Sequence, residues 1–286
     1  MTHQLHPGTE IGIVQLKVSG LERSIAFYQD IVGLKILSQQ GDTAQLTADG
    51  VHPLVILRQL EQADVLPRRT GAGLYHFAIL VPDRASLGLA VRNLIKHQIP
   101  VGQGDHLVSE ALYINDPDNN GIEIYADRPR ETWQKDAQGH YVMTTDPVDI
   151  DGLLAASEGM AWEGLPAGTR IGHVHFHVSD LKKAEEFYTR VLGFDSVANY
   201  GDSALFVSAG GYHHHIGLNT WAGVGAPPVP EQAAGIDYYE LVLPDEVELD
   251  RVVQRLKEAG TEVQQVEGTW FARDPFRIQV KLIRKA

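Results

Sequence analysis

Apolar and polar residues alternate from Ile11 to Val18, with Val14, Leu16 and Val18 facing one way and Ile13, Gln15 and Lys17 the other. That two-residue period is the mark of a half-buried strand. The spacing then changes: Leu21, Ile25, Tyr28 and Val32 form one stripe of a helix over 21–32, with Gly33 as its stop, since glycine accepts the left-handed backbone that ends helices. Short strands near 34–39, 43–48 and 52–59, separated by Gly-Asp and Asp-Gly turns, complete a βαβββ unit. A second unit opens at Tyr75, where Phe77, Ile79 and Val81 alternate against His76, Ala78 and Leu80. Its helix carries Leu87, Ala90, Val91, Leu94 and Ile95, and strands near 99–103, 109–115 and 121–126 follow.

At Ile171 the beginning of the chain returns. IGIVQLKVSGLERSIAFYQDIVGL and IGHVHFHVSDLKKAEEFYTRVLGF match at nine of 24 positions with a constant offset of 160. GLYHFAILVPD at 73 likewise returns as GIDYYELVLPD at 235. Such repetition sets the architecture before any motif does. The expected fold is α+β, four βαβββ modules in two tandem halves: an N-terminal pair over 1–130, a surface-packed linker over 131–168 and a C-terminal pair over 169–286. A two-layer module cannot hide its sheet face alone, so modules must pair and curl their sheets around a cavity.

Composition narrows the field. Lys and Arg total 24 against 37 Asp and Glu, a formal charge of −13, which argues against a phosphate-backbone partner. There is no cysteine, which removes disulfides, thiolate ligands and a Cys nucleophile. The N-terminal MTHQLHPGTE lacks the apolar core of a secretory signal and no run approaches membrane-spanning length, so the expectation is a cytoplasmic protein without nucleic-acid or membrane partners. A homo-oligomer is compatible with the pattern but not specified by it. The unusual count is 13 histidines, six of them between His173 and His215.

The richest stretch is Gly104 to Glu123, GDHLVSEALYINDPDNNGIE. It holds His106 in a turn, a strand through Leu112-Tyr113, a hairpin turn at Asp116-Pro117 and a second strand carrying Glu123. Alternation sets Glu123 and Tyr125 on one face and Ile122, Ile124 and Ala126 on the other. A carboxylate on so apolar a strand needs a partner, and histidines are available. His173, His175 and His177 all point into the cavity of the third module, and the run Tyr212-His213-His214-His215-Ile216, read as a strand, puts His213 and His215 on one face and His214 on the other. Any one of these alone reads as a hydrogen-bonded structural histidine; several converging on one face point to a cation or a carboxylate.

Position by position, the first-strand cavity site of the four modules is Ile13, His76, His173 and Tyr238, and the last-strand counterpart is read as Val55, Glu123, His215 and Gln279. Pairing modules two and three gathers His76, Glu123, His173 and His215 in one cavity, leaving Ile13, Val55, Tyr238 and Gln279 in the other. Two histidines and a carboxylate form the facial set that holds non-haem Fe(II) with open positions; adding His215 as a fourth ligand would suit a closed-shell Lewis acid.

Four βαβββ modules with ligands on first and last strands resemble the vicinal-oxygen-chelate superfamily, across nearly the whole chain. Within it, His106, Leu112-Tyr113, Asp116-Pro117 and Glu123 resemble in order the signature of type I extradiol ring-cleaving dioxygenases, with Asn119 where that family usually has Gly. The signature lies in module two rather than module four, an order most similar to the smaller catechol 2,3-dioxygenases of bacilli. The resemblance implies cleavage of a catechol-type diol with O₂ at Fe(II), with Mn(II) or another divalent metal as the alternative. It implies that His76, Glu123 and His173 are the ligands, that His106 and Tyr113 hydrogen-bond the diol, and that His215 shuttles protons near neutral pH. His175, His177, His213 and Trp221 are pocket candidates, whereas Trp133 and Tyr141 read as packing residues. The competing readings are a metal-dependent glyoxalase or isomerase using His215 as fourth ligand, and a small-molecule binding or resistance protein.

Overall fold

The computed structural model describes residues 4–285. Its four modules follow one plan. The first comprises β1 (Glu10–Val18), α1 (Leu21–Phe27), β2 (Lys35–Gln40), β3 (Thr43–Thr47) and β4 (Pro53–Gln59); the second, β5 (Gly73–Leu80), α2 (Arg84–Lys96), β6 (Gly102–Asp105), β7 (Ser109–Asn115) and β8 (Gly121–Asp127). After the linker helix α3 (Ile150–Ala156) come β9 (Arg170–His177), α4 (Leu181–Glu185), β10 (Asp195–Tyr200), β11 (Ala204–Ser208) and β12 (Ile216–Asn219). The last module is β13 (Gly235–Leu243), α5 (Glu246–Glu258), β14 (Val263–Val266), β15 (Thr269–Arg273) and β16 (Gln279–Arg284). The strand expected near 99–103 sits three residues later, because Pro100 can donate no ladder hydrogen bond.

The modules join across the linker. Antiparallel pairing of β5 with β9 makes one eight-stranded sheet from modules two and three, and pairing of β1 with β13 makes the other from modules one and four. Alternation explains which face goes where. Val14, Leu16, Phe77, Ile79, Val174, Phe176, Tyr239 and Leu241 are buried in one common core with the helices, each such side chain contributing roughly 1.5–3 kcal/mol. Phe176 and Tyr239, from different sheets, meet with ring centroids 5.3 Å apart. The opposite face of the sheet formed by modules two and three carries His76, Glu123 and His173. Among the described residues no helix is long and apolar enough to cross a membrane.

A repeated keystone ties odd modules to even ones. After α1 and α4 the helix widens into a π turn, Tyr28–Val32 and Glu186–Leu192, closed by Gly33 and Gly193 at φ of 90° and 95°. The Tyr28 hydroxyl donates to Asp116 (3.2 Å) and that of Tyr188 to Asp274 (2.9 Å). Each aspartate also accepts two backbone N–H groups of its own Asp-Pro turn, from Asp118 and Asn120 or from Phe276 and Ile278. The Asp-Pro turn is therefore a buried carboxylate lock as well as a hairpin. Burial pushes the Asp116 carboxyl up to about 6 and that of Asp274 up to about 7, against the opposing pull of those donors.

The linker does more than cover surface. Arg84 reaches the carboxylates of Glu110 (2.7 Å) and Asp149 (3.1 Å), and Arg92 donates to the Leu154 carbonyl of α3 and the Ser157 hydroxyl beyond it. Gly88 lets α3 lie against α2, since a Cβ there would stand 2.1 Å from the Leu153 carbonyl oxygen. The segment before α3 folds back over module three, where Trp133 packs edge-on to His213 and Tyr141 donates to the Gly211 carbonyl.

Candidate metal centre

The parallel ladder between β5 and β8 sets His76 opposite Gly121 and Ala78 opposite Glu123. Close approach at Gly121 is obligatory, as a Cβ there would lie 2.0 Å from the Tyr75 carbonyl oxygen. The β5–β9 pairing then brings His173 alongside Ala78. Ligand atoms of His76, Glu123 and His173 all fall within 4.8 Å of one another, the one such group among the described residues. Glu123 Oε2 is 3.0 Å from His76 Nε2 and 3.1 Å from His173 Nε2, and all three side chains are buried.

These residues suit a divalent cation better than a hydrogen-bond network. His76 Nε2 is buried without a hydrogen bond of acceptable geometry: Glu123 is close, yet the ring does not aim an N–H at it. Burial lowers the His76 pKa, keeping the imidazole neutral and ready to ligate. Burial pushes the Glu123 carboxyl up, but the charge and hydrogen bond of His173 and the contact with His76 outweigh it and hold it well below the usual range.

Tyr113 lies across from Glu123 in the β7–β8 ladder, its ring 5.5 Å from that of His76. Its hydroxyl is 2.7 Å from His106 Nε2, and His106 Nδ1 is 2.6 Å from the Thr144 carbonyl oxygen. A carbonyl can only accept, so Nδ1 carries the hydrogen; in the neutral ring Nε2 then accepts from Tyr113. The tyrosine oxygen is left free to accept from a ligand. A cavity of about 760 Å³ opens over this corner, lined by Tyr75, His76, Tyr113 and His177 with Arg68 and Arg69 at its mouth.

Comparison with known proteins identifies the family. The model of the family described as Glyoxalase/Bleomycin resistance protein/Dioxygenase superfamily matches residues 10–124 and 170–281. The chain belongs to that superfamily. It is 56% identical over 272 residues to the catechol-2,3-dioxygenase of Bacillus subtilis, covering 95% of each chain. Among solved structures, a candidate dioxygenase of Bacillus subtilis superposes with a TM-score of 0.67 at 14% identity, over 99% of this chain and 86% of that one. Glyoxalase I from Zea mays gives 0.57 at 16% identity, over 97% and 92%. At such identities these superpositions speak for the superfamily fold alone.

Two expectations about the superfamily site need correction. The last-strand counterparts of Glu123 are Ile56, Gly217 and Lys281, as the ladders Gln15–Ile56, His175–Gly217 and Glu240–Lys281 show, in place of Val55, His215 and Gln279. Equivalence follows ladder register, which the sequence offsets missed by one or two residues. Gly217 has no side chain to ligate, and a Cβ on it would stand 2.7 Å from the His175 ring. In the other sheet Lys281 donates to Glu240 at 2.9 Å and sits 5.3 Å from the Tyr238 ring, so an internal ion pair occupies the position equivalent to Glu123 in that saddle.

The second correction concerns the histidine run. Residues 212–215 precede β12, which begins at Ile216, and Gly210 and Gly211 turn the chain at φ of 61° and 66°. Alternation holds only in a paired strand, so the expected faces do not apply. His214 lies with its ring 4.0 Å from that of His173. His215 instead packs by Tyr212 and Phe194, and its Nδ1 accepts from the Ala209 N–H at 3.2 Å and pairs with the Ser208 hydroxyl at 3.0 Å. Burial pushes His215 down to about 3.

The other candidates flank the centre on two sides. Asn219 donates to His175 Nε2 (2.9 Å) and accepts from His177 Nδ1 (2.6 Å), and Tyr75 packs against both rings and Trp221. Burial, with neighbouring histidine charges, pushes His175 well down. His213 stands on the far side of His173. Sequence reasoning missed Tyr75, Asn219, Asp127 and His214; of these only His214, inside the run already singled out, carried a signal.

Proposed function

We propose that this chain is an extradiol dioxygenase that cleaves a catechol-type ring beside its two hydroxyls with O₂ at a non-haem Fe(II), held by His76, Glu123 and His173. The observation that carries the reading is the convergence of those three ligand atoms beside the His106–Tyr113 pair; the strong identity to a catechol-2,3-dioxygenase supports it. Bound Fe(II) would supply Lewis acidity toward the diol and electron exchange with O₂. Tyr113, held as a donor to His106, presents its oxygen to one diol hydroxyl and orients the ring. Tyr75, packed edge-on against Trp221, offers an aromatic wall to the ring's apolar edge. To His214, whose ring lies 4.0 Å from that of His173, rather than to His215, we assign the taking and return of a diol proton.

The glyoxalase reading needs a fourth donor, and the register offers Gly217 there. A resistance protein that only sequesters a ligand has no use for three converging buried ligand atoms, one of them, His76 Nε2, without a hydrogen bond. The test is direct. Chain purified without oxygen, loaded with Fe(II) and mixed with catechol in air, is expected to give a yellow ring-fission product. Loaded protein that turns over none of a panel of catechols refutes the assignment.

A further inference from the structure

Beyond the ligands, an ordered chain of hydrogen bonds runs from the surface to the centre. Asp127 Oδ1 is 2.9 Å from His213 Nε2, and His213 Nδ1 is 2.8 Å from His214 Nδ1. We propose that Asp127 and His213 are positioning residues that lock His214 in the tautomer with its proton on Nδ1 and its Nε2 lone pair directed to the diol. This rests on the assignment of His214 above and deepens it.

Proton bookkeeping leaves one arrangement for neutral rings. A carboxylate only accepts, so the hydrogen of His213 is on Nε2. Its Nδ1 is then a lone pair, and two lone pairs cannot face each other at hydrogen-bond distance, so His214 Nδ1 carries hydrogen. Nε2 of His214 makes no hydrogen bond among the described residues and is free to act. The chain is protected: His213 is fully buried beneath Trp133 and Tyr212, with ring centroids 5.2 and 4.2 Å away. Tyr212 in turn donates to Asp127 at 3.2 Å and shares a 2.7 Å contact with the Tyr125 hydroxyl. That hydroxyl fills the space beside Gly172, where a Cβ would lie 1.8 Å away, so the brace is built against the strand that carries His173. When the diol O–H breaks and an N–H forms on His214 Nε2, the ring's new positive charge is offset through His213 by the Asp127 carboxylate. The proton leaves by the same Nε2 when the product is formed.

The experiment compares wild type with Asp127→Asn and Asp127→Glu in the Fe(II)-loaded full chain. Asn lets either ring tautomer persist, so kcat is expected to fall about 10–100-fold, the scale of supporting contacts around metal sites, with KM and iron stoichiometry unchanged within twofold; Glu is expected to recover most of the rate. Nitrogen-15 spectra of histidine-labelled wild type loaded with diamagnetic Zn(II) provide a readout that needs no variant. They are expected to show His214 protonated on Nδ1. Protonation on Nε2, an unchanged kcat in Asp127→Asn, or joint loss of rate and iron would overturn the proposal. Wild type inactive toward catechols would fail the functional reading instead, while the tautomer measurement still judges the lock.

Discussion

Replacing Asp274 with asparagine isolates the electrostatic part of the module lock. Both Asp274 backbone contacts land on Oδ1, from Phe276 and Ile278 at 2.8 Å each, and an asparagine oxygen can accept both. The Tyr188 hydroxyl, a donor to Oδ2 now, can accept from the new amide. What changes is charge. Because burial raises the folded-state value to about 7, the stability this carboxyl contributes is whole below the ordinary carboxylate range and is lost as pH climbs through about 7. The two units between pH 5 and about 7 are worth roughly 3 kcal/mol at about 1.4 kcal/mol per unit. Asparagine has no such term. Urea unfolding of wild type and Asp274→Asn in chelator, at pH 5 and pH 8, compares the two on a linear extrapolation. The variant is expected to gain about 3 kcal/mol on wild type between those pH values, with Asp116 and all other groups cancelling. An offset that is the same at both pH values refutes the argument from burial.

Glu123→Gln removes the only carboxylate of the ligand set and is expected to lower bound iron from one per chain to well under one by atomic absorption, with the circular dichroism spectrum retained. Tyr113→Phe deletes one hydrogen bond to the diol and should lower kcat/KM roughly 3–10-fold at unchanged iron content, which steady-state oxygen uptake would check. His214→Gln should abolish turnover with iron retained, whereas His215→Gln should keep most of it and show its cost in thermal stability; the reverse order would restore His215 to the expected role. Gly121→Ala must push β8 from β5 to relieve a 2.0 Å approach, so both melting temperature and iron occupancy are expected to fall together.

Much of this was legible in the chain because strand and helix periods repeat four times over. The convergence of the candidate trio followed from a simple asymmetry: only the two–three pairing gathers His76, Glu123 and His173. What could not be read was register beyond the central strands. Val55 faces the core, one residue from the true counterpart, and His215 took a place that ladder geometry assigns to Gly217. His213 to His215 resisted for a different reason: two glycines in left-handed backbone break the strand before them, and a turn has no period to extrapolate. Asp127 carried no sign of its contact with His213, since a carboxylate at a strand end reads as solvated until a distant histidine is folded onto it.

The ion pair of Lys281 and Glu240 gives the duplicated architecture an uneven dependence on its surroundings. One saddle carries its positive charge on a tethered side chain, permanently and at fixed dose. Its twin, with His76, Glu123 and His173 as the proposed ligands, would draw its cation from solution. On the proposed assignment a chelator is expected to remove the charge of one saddle alone and to leave the Lys281–Glu240 pair as it was.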